Sequence, residues 1–202
     1  MEINKWYNDK LNQFGENDFR SLNWGDKKGN SAYARYGQMF DLYDWSDKTV
    51  FEVGCGWGSF FDFGYTCDYY YGIDINKNFI NIAEKNHQHT ACTNWPKPIF
   101  ETKDISDFNP NKMFDVAIST GVAGNRGGPA WHPNLLNSFL NKMYKTAQTI
   151  LINFPSNRAT IRSEHVEYFS PEYVLGQALN ITENVQLIHK VKSDFLIILN
   201  HE

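Results

Sequence analysis

Cysteine is scarce in this 202-residue chain, and the three present, Cys55, Cys67 and Cys92, form no Cys-x-x-Cys pair. That excludes a disulfide framework and a zinc ribbon. Long apolar runs are also missing, because TILINF and FLIIL fall far short of the roughly 20 residues a membrane helix needs. The opening MEINKWYNDK is polar and charged, without the apolar core of a secretory signal, so a cytoplasmic protein with no membrane partner is expected. Positive charge is in deficit. A formal net charge of -4 leaves no electrostatic footprint for nucleic acid. Repeats and low-complexity tracts are absent too. What remains is a chain with 42% hydrophobic and 16% aromatic residues. It is long enough to bury the core of one domain, 1–202, and short for two.

The first 45 or so residues carry turn signals in GDKKGNS and no strong strand, and read as a helical cap. From Lys48 strands and helices alternate. KTVFEV is a strand followed by a glycine turn and a helix at about 58 to 65. DYYYGI is a strand followed by the helix NKNFINIAEKNH. PIFETK, FDVAIST and TILINF are further strands. PNLLNSFLNKMYKTAQ sets Leu135, Leu136, Phe139, Leu140, Met143 and Tyr144 on one helical face behind Pro133. In FSPEYVLGQAL, Ser170 suits an N-cap and Pro171 a first turn. NVQLIHK and SDFLIILN are joined too tightly for a crossover helix and should pair antiparallel. The expected fold is α/β, a doubly wound, mostly parallel sheet ending in an antiparallel hairpin.

In FEVGCGWGSF, Gly54, Gly56 and Gly58 alternate behind a strand that carries Glu52. A glycine turn between strand and helix lets backbone approach a ligand. The spacing G-x-G-x-G is not the dinucleotide fingerprint G-x-G-x-x-G. Glu52 is equally out of place, since a buried parallel strand runs apolar and its carboxylate must hydrogen-bond to something. Asp74 stands at the roughly 20-residue spacing at which a nucleotide-binding βαβ unit places a ribose acid.

E-V-G-C-G-W-G, G-I-D-I, K-D-I and F-D-V-A-I-S-T-G-V, taken in order, resemble the motifs of class I S-adenosylmethionine-dependent methyltransferases over roughly residues 46 to 200. The resemblance implies a seven-stranded sheet, S-adenosylmethionine as cofactor and methyl transfer as the activity. It implies that the turn of Gly54, Cys55, Gly56 and Gly58 passes beneath the methionine portion, and that Glu52 helps fix the amino end. Asp74, with Ile75 behind it, would take the ribose hydroxyls. Asp104 and Ile105 would flank adenine, and Thr120 and Gly121 would lie under the sulfonium. Upstream, SLNWG and ARY resemble a W-G … R-F segment of small bacterial members, with Tyr36 in place of the usual Phe. On that match Arg35 faces the cofactor's carboxylate, which a guanidinium can hold through two hydrogen bonds.

Plainer readings stand beside these. The glycines suit an ordinary tight turn, Asp74 an N-cap of the next helix, Asp104 the start of a turn, and Arg35 a structural role. His87, His89 and Cys92 read as a solvated helix end, because i and i+2 point apart, and no metal site is expected. Candidates for catalysis belong beyond the C-terminal strand ends. There STGVAGNRGGPAWHPN carries His132, a general base or substrate ligand, or else a capping histidine. Arg126, Trp131, Arg158, Arg162, His165 and Tyr168 are further pocket candidates. The DNA amino methyltransferases of this family carry a Pro-Pro-aromatic motif where this chain has S-T-G-V, and no cysteine follows a proline. The expected partner is therefore a small-molecule substrate rather than nucleic acid. The aromatic cap closes over that substrate or packs its own core. The alternatives are a non-catalytic S-adenosylmethionine-binding partner or regulatory protein, and a nucleotide-dependent oxidoreductase.

Overall fold

In a computed structural model the structure describes residues 3–42, 44–125, 127–130 and 132–201. Seven strands form one sheet in the order β3-β2-β1-β4-β5-β7-β6. They are β1 (Thr49–Val53), β2 (Tyr69–Asp74), β3 (Ile99–Thr102), β4 (Phe114–Ser119), β5 (Ala147–Pro155), β6 (Val185–Val191) and β7 (Asp194–Asn200). β1 to β5 pair in parallel, and β7 runs antiparallel between β5 and β6. The expected hairpin is thus present, with its second strand folded inward. The reason is in the sequence: every residue of β7 from Asp194 to Leu199 is buried, whereas no residue of β6 is fully buried and that strand takes the edge.

Successive strand residues point to opposite faces and feed two apolar layers. Phe51, Ile73, Ile150, Ile152, Phe195 and Ile197 pack on one face with Leu136, Phe139, Leu140 and Met143 of α5 (Pro133–Tyr144) and Val174 and Ala178 of α6 (Pro171–Leu179). Val50, Tyr70, Ile118, Leu151 and Ile198 pack on the other face with α4 (Lys77–Asn86) and the N-terminal cap. The cap consists of α1 (Ile3–Phe14), a 3-10 turn at Phe19–Leu22 and α2 (Asn30–Phe40). α2 buries Ala32, Tyr36, Met39 and Phe40, the i, i+4, i+7, i+8 stripe of an amphipathic helix.

Two expected elements shrink. The helix after the glycine turn is one turn long, α3 (Ser59–Asp62), and the chain leaves it through Gly64 at φ 81°. The α5 helix stops at Tyr144, where the Thr146 hydroxyl donates to the Met143 carbonyl at 2.6 Å, and Ala147 already pairs with Phe114 of β4. Leu135, expected on the core face of α5, is 42% exposed and lines the mouth of a cavity. Ser170 caps α6 as expected, its Oγ accepting from the Tyr173 amide at 3.2 Å. No helix among the described residues is long and apolar enough to cross a membrane.

Candidate functional site

A cavity of about 470 Å³ opens beyond the C-terminal ends of β1, β2 and β4, where an open parallel sheet leaves a crevice. Its floor is the turn that follows β1. Gly54 (φ 74°) and Gly56 (φ 54°) both adopt left-handed backbone, and the amides of Gly54 and Cys55 donate to the Ile73 carbonyl at 2.8 and 3.1 Å. A β-carbon at Gly54 would lie 2.0 Å from Val122 Cγ2, so side-chain-free backbone is required at this point. Gly54, Cys55 and Gly56 line the cavity. Gly58 does not; its α-carbon faces the His87 ring and Phe100, and a β-carbon there would come within 2.6 Å of His87. The third glycine therefore serves packing between the turn, α4 and β3.

Asp74 ends β2 at the cavity wall, and its carboxylate accepts the amides of Gly56 at 3.0 Å and Asn76 at 2.8 Å. Enclosure by protein raises its pKa to about 6 against those two hydrogen bonds, which favour the charged form. Asp74 is not the cap of α4. That role falls to Asn76, whose side-chain oxygen accepts from the amides of Asn78 and Phe79. Ile75, Asp104, Ile105 and Thr120 line the same cavity. Asp104 also caps the 3-10 turn Ile105–Asp107 by accepting the Ser106 amide at 2.8 Å. Ser59, at the start of α3, lines the cavity with a buried Oγ that has no hydrogen-bond partner.

Besides Gly58, three expected site residues are placed elsewhere. Glu52 is fully buried and does not line the cavity; it accepts the hydroxyls of Tyr36, at 2.6 Å, and Tyr70. Burial raises its carboxyl to about 7, opposed by the two tyrosine hydrogen bonds. Tyr36 stands between Glu52 and the cavity. The tyrosine that replaces the usual Phe thus satisfies the strand's acid from the cap side. Arg35 turns away from the large cavity: its Nε is 2.8 Å from Asp194, and its guanidinium lies 4.7 Å above the Trp24 ring. The carboxylate of Asp194, the first residue of β7, thus takes the charge that was expected to meet the cofactor. His132 is the N-cap of α5, its Nδ1 accepting from the Asn134 amide at 3.3 Å, and it lines neither cavity.

The remaining candidates divide. Tyr168 lines a second, smaller cavity, and its hydroxyl accepts the Ser163 amide at 2.8 Å. Arg158 pairs with Glu172 on the surface, Arg162 donates to backbone carbonyls over the Tyr168 ring, and His165 lies against Trp6. Arg126 and Trp131 lie outside the described residues. His87 is buried rather than solvated, its Nε2 3.2 Å from the Trp57 carbonyl. Among the described residues no group of three His, Cys, Asp or Glu is placed to hold a metal ion.

The cap both packs its own core and covers the site. Phe19, Phe40 and Trp45 are buried in the apolar layer, while Tyr7, Leu22, Trp24 and Tyr36 line the large cavity. Tyr7 is fastened from across the mouth by Asn125, whose Nδ2 donates to the tyrosine oxygen at 2.6 Å and to the Gly121 carbonyl at 2.7 Å. Burial, and then the charge of Asp74, raise the Tyr7 pKa and keep the phenol neutral. Sequence reasoning missed Ser59, Asn125 and Asn153. Asn153 was discoverable, since a polar residue inside TILINF breaks a buried strand just as Glu52 does.

No protein-family model matches the chain, and no curated protein matches it in sequence. Solved structures do match. N-methyltransferase NodS from Bradyrhizobium japonicum WM9, in complex with S-adenosyl-L-homocysteine, superposes with a TM-score of 0.68 at 17% identity, over 97% of this chain and 98% of that one. Magnesium protoporphyrin IX methyltransferase from Synechocystis PCC 6803 with bound S-adenosylhomocysteine gives 0.67 at 12% identity, over 99% and 96%. A TehB-like S-adenosylmethionine-dependent methyltransferase from Corynebacterium glutamicum gives 0.60 at 12% identity, over 99% and 98%. At such identities the likeness establishes the fold, a Rossmann-like sheet shared with these enzymes.

Proposed function

We propose that this chain, whose fold is that of class I S-adenosylmethionine-dependent methyltransferases, binds S-adenosylmethionine in the larger cavity and transfers its methyl group to a small-molecule acceptor. The observation that carries the reading is the cradle of Gly54 and Gly56 at positive φ beside the Asp74 carboxylate, lining one cavity of about 470 Å³. The residues fit the cofactor. Backbone at Gly54 to Gly56 leaves room for the methionine chain, and Asp74 offers an acceptor to ribose hydroxyls. Asp104, Ile75 and Ile105 would enclose adenine. Ser59 brings a buried, unpartnered hydroxyl for the amino-acid end.

When bound, S-adenosylmethionine supplies a methyl group already activated by its positive sulfur. The chain has to orient the acceptor and exclude water. Tyr7, Trp24 and Tyr36 cover the cavity from the cap, and the Asn125 hydrogen bond fastens Tyr7 to the loop after β4. No histidine lines either cavity among the described residues, so proton removal by an imidazole is not part of the proposal. A small acceptor is favoured by the negative net charge. The same fold also occurs within the small RNA methyltransferase HEN1, which superposes with a TM-score of 0.67 at 14% identity over 85% of this chain and 25% of that one.

The test is calorimetric titration with S-adenosylhomocysteine, with NAD as the parallel ligand. Saturable heat from the first alone is expected. Heat from NAD alone would overturn the reading in favour of a nucleotide-dependent oxidoreductase. A protein that binds S-adenosylhomocysteine yet turns over no acceptor would be the non-catalytic binder instead.

A further inference from the structure

The second cavity, about 130 Å³, adjoins the first and shares Leu22, Trp24, Gly121 and Asn125 with it. Its own wall is formed by Asn153 and Pro155 at the end of β5, Arg35 of α2, Tyr168, and Ser193 before β7. Asn153 is 2% exposed, and its side-chain oxygen is buried without a hydrogen-bond partner. An unpaired buried amide oxygen is destabilising unless something donates to it. Asn153 has no such donor among the described residues, although its neighbours on β5 are the apolar Ile152 and Phe154 of the core. Asn153 borders the smaller cavity, so a donor seated there can partner that oxygen once the side chain turns toward it.

The rest of the wall narrows the chemistry. Trp24, Pro155, Ala159 and Val166 are apolar, and Trp24 and Tyr168 suit a flat ring. Arg35 is the sole charged side chain among the described lining residues, and its charge is matched by Asp194, buried to 3% exposure. No unpaired carboxylate or ammonium group of the wall calls for a charged ligand.

We propose that the smaller cavity binds a small, flat, uncharged molecule whose N–H donates a hydrogen bond to Asn153 Oδ1. As the seat of the methyl acceptor this rests on the methyltransferase reading; as a binding site it does not. Asn125, common to both cavities, would then border acceptor and cofactor together.

Indole is a suitable probe, with 1-methylindole as its counterpart in which N–CH3 replaces the N–H donor. Both are titrated into the whole protein and followed by nuclear magnetic resonance at the Trp24 indole N–H, identified with Trp24→Phe. Wild type should bind indole at least fivefold more tightly than 1-methylindole, and in Asn153→Ala that preference should disappear. Equal binding of the two probes by wild type would overturn the proposal without any variant being needed. A preference that persists in folded Asn153→Ala would also overturn it, as would tighter binding of indole-3-acetate than of indole. S-adenosylhomocysteine is titrated into the same samples to separate the two readings. Its binding without any response to indole sinks the small-cavity proposal alone. An indole preference without S-adenosylhomocysteine binding sinks the methyltransferase reading and leaves the small site standing.

Discussion

The two cavities meet at Trp24, Gly121 and Asn125 but are built on different principles. The larger has a floor of backbone, a turn of left-handed glycines at the ends of β1, β2 and β4 with a carboxylate oriented by two amides, and a cover of side chains from the cap. The smaller is made of side chains from α2, β5 and the segments after β4 and β5 and before β7, distant in sequence. A backbone cradle tolerates side-chain change around it but not a β-carbon within it. A side-chain wall changes its ligand with each substitution. The floor of the larger cavity is thus constrained by conformation, and the wall of the smaller by side-chain chemistry.

The largest break should come at the cradle. Gly54→Ala forces a non-glycine residue to φ 74° and drives its methyl into Val122. The left-handed backbone alone costs about 1–2 kcal/mol. The melting midpoint should fall by roughly 2–8 °C, and S-adenosylhomocysteine titration should give no saturable heat. Retained binding would mean that the turn does not approach the ligand.

Next in size is Asp74→Ala, which should weaken S-adenosylhomocysteine binding by about 1–3 kcal/mol, roughly fivefold to 150-fold, while the fold persists. Affinity in the wild type should also decline as the pH falls below about 6, where Asp74 takes up a proton. Titrations at a series of pH values test both, and a flat profile would remove the Asp74 carboxylate from the contact.

Glu52 gives a smaller effect confined to stability. Its folded pKa of about 7 lies above the unfolded value of 4.5, so the folded state holds a proton that the unfolded chain releases between those values. The associated stability is full below about pH 4.5 and is lost as the pH rises through 7. Asp74 acts with the same sign up to about pH 6. Glu52→Gln should therefore flatten part of the decline in melting midpoint, most clearly between pH 6 and 7, as followed by calorimetry. An unchanged curve would contradict the buried Tyr36–Glu52–Tyr70 arrangement.

The smallest effect should be that of His132→Ala. It removes one long capping hydrogen bond to the Asn134 amide, worth about 0.5–1 kcal/mol. S-adenosylhomocysteine affinity should stay within twofold of wild type. A loss beyond tenfold would return His132 to the site.

The residues named from the sequence that do line the larger cavity share one property: they are short-range. Gly54, Cys55 and Gly56 follow a strand directly, Asp74 and Ile75 close the next strand, and Asp104, Ile105 and Thr120 sit just past strand ends. Strand alternation and glycine spacing locate such residues. Arg35 pairs with Asp194, 159 positions away along the chain, a contact that no local pattern reveals. Glu52 was recognised as anomalous, yet its partners come from α2 and β2, and no local rule distinguishes a ligand from a pair of tyrosines. Gly58 shares its neighbours' spacing but serves packing on His87, which only α4 brings near.

By itself the sequence determined the alternating strands and helices, the closing antiparallel pair and the cradle with its acid, because backbone conformation and strand periodicity are set by residues a few positions apart. The tertiary structure alone decided which charges are already spent on each other, which hydroxyl covers Glu52, and that Asn153 lines a cavity with its oxygen unpaired. Those outcomes depend on what burial brings together, and desolvation acts on the assembled neighbourhood rather than on a stretch of chain.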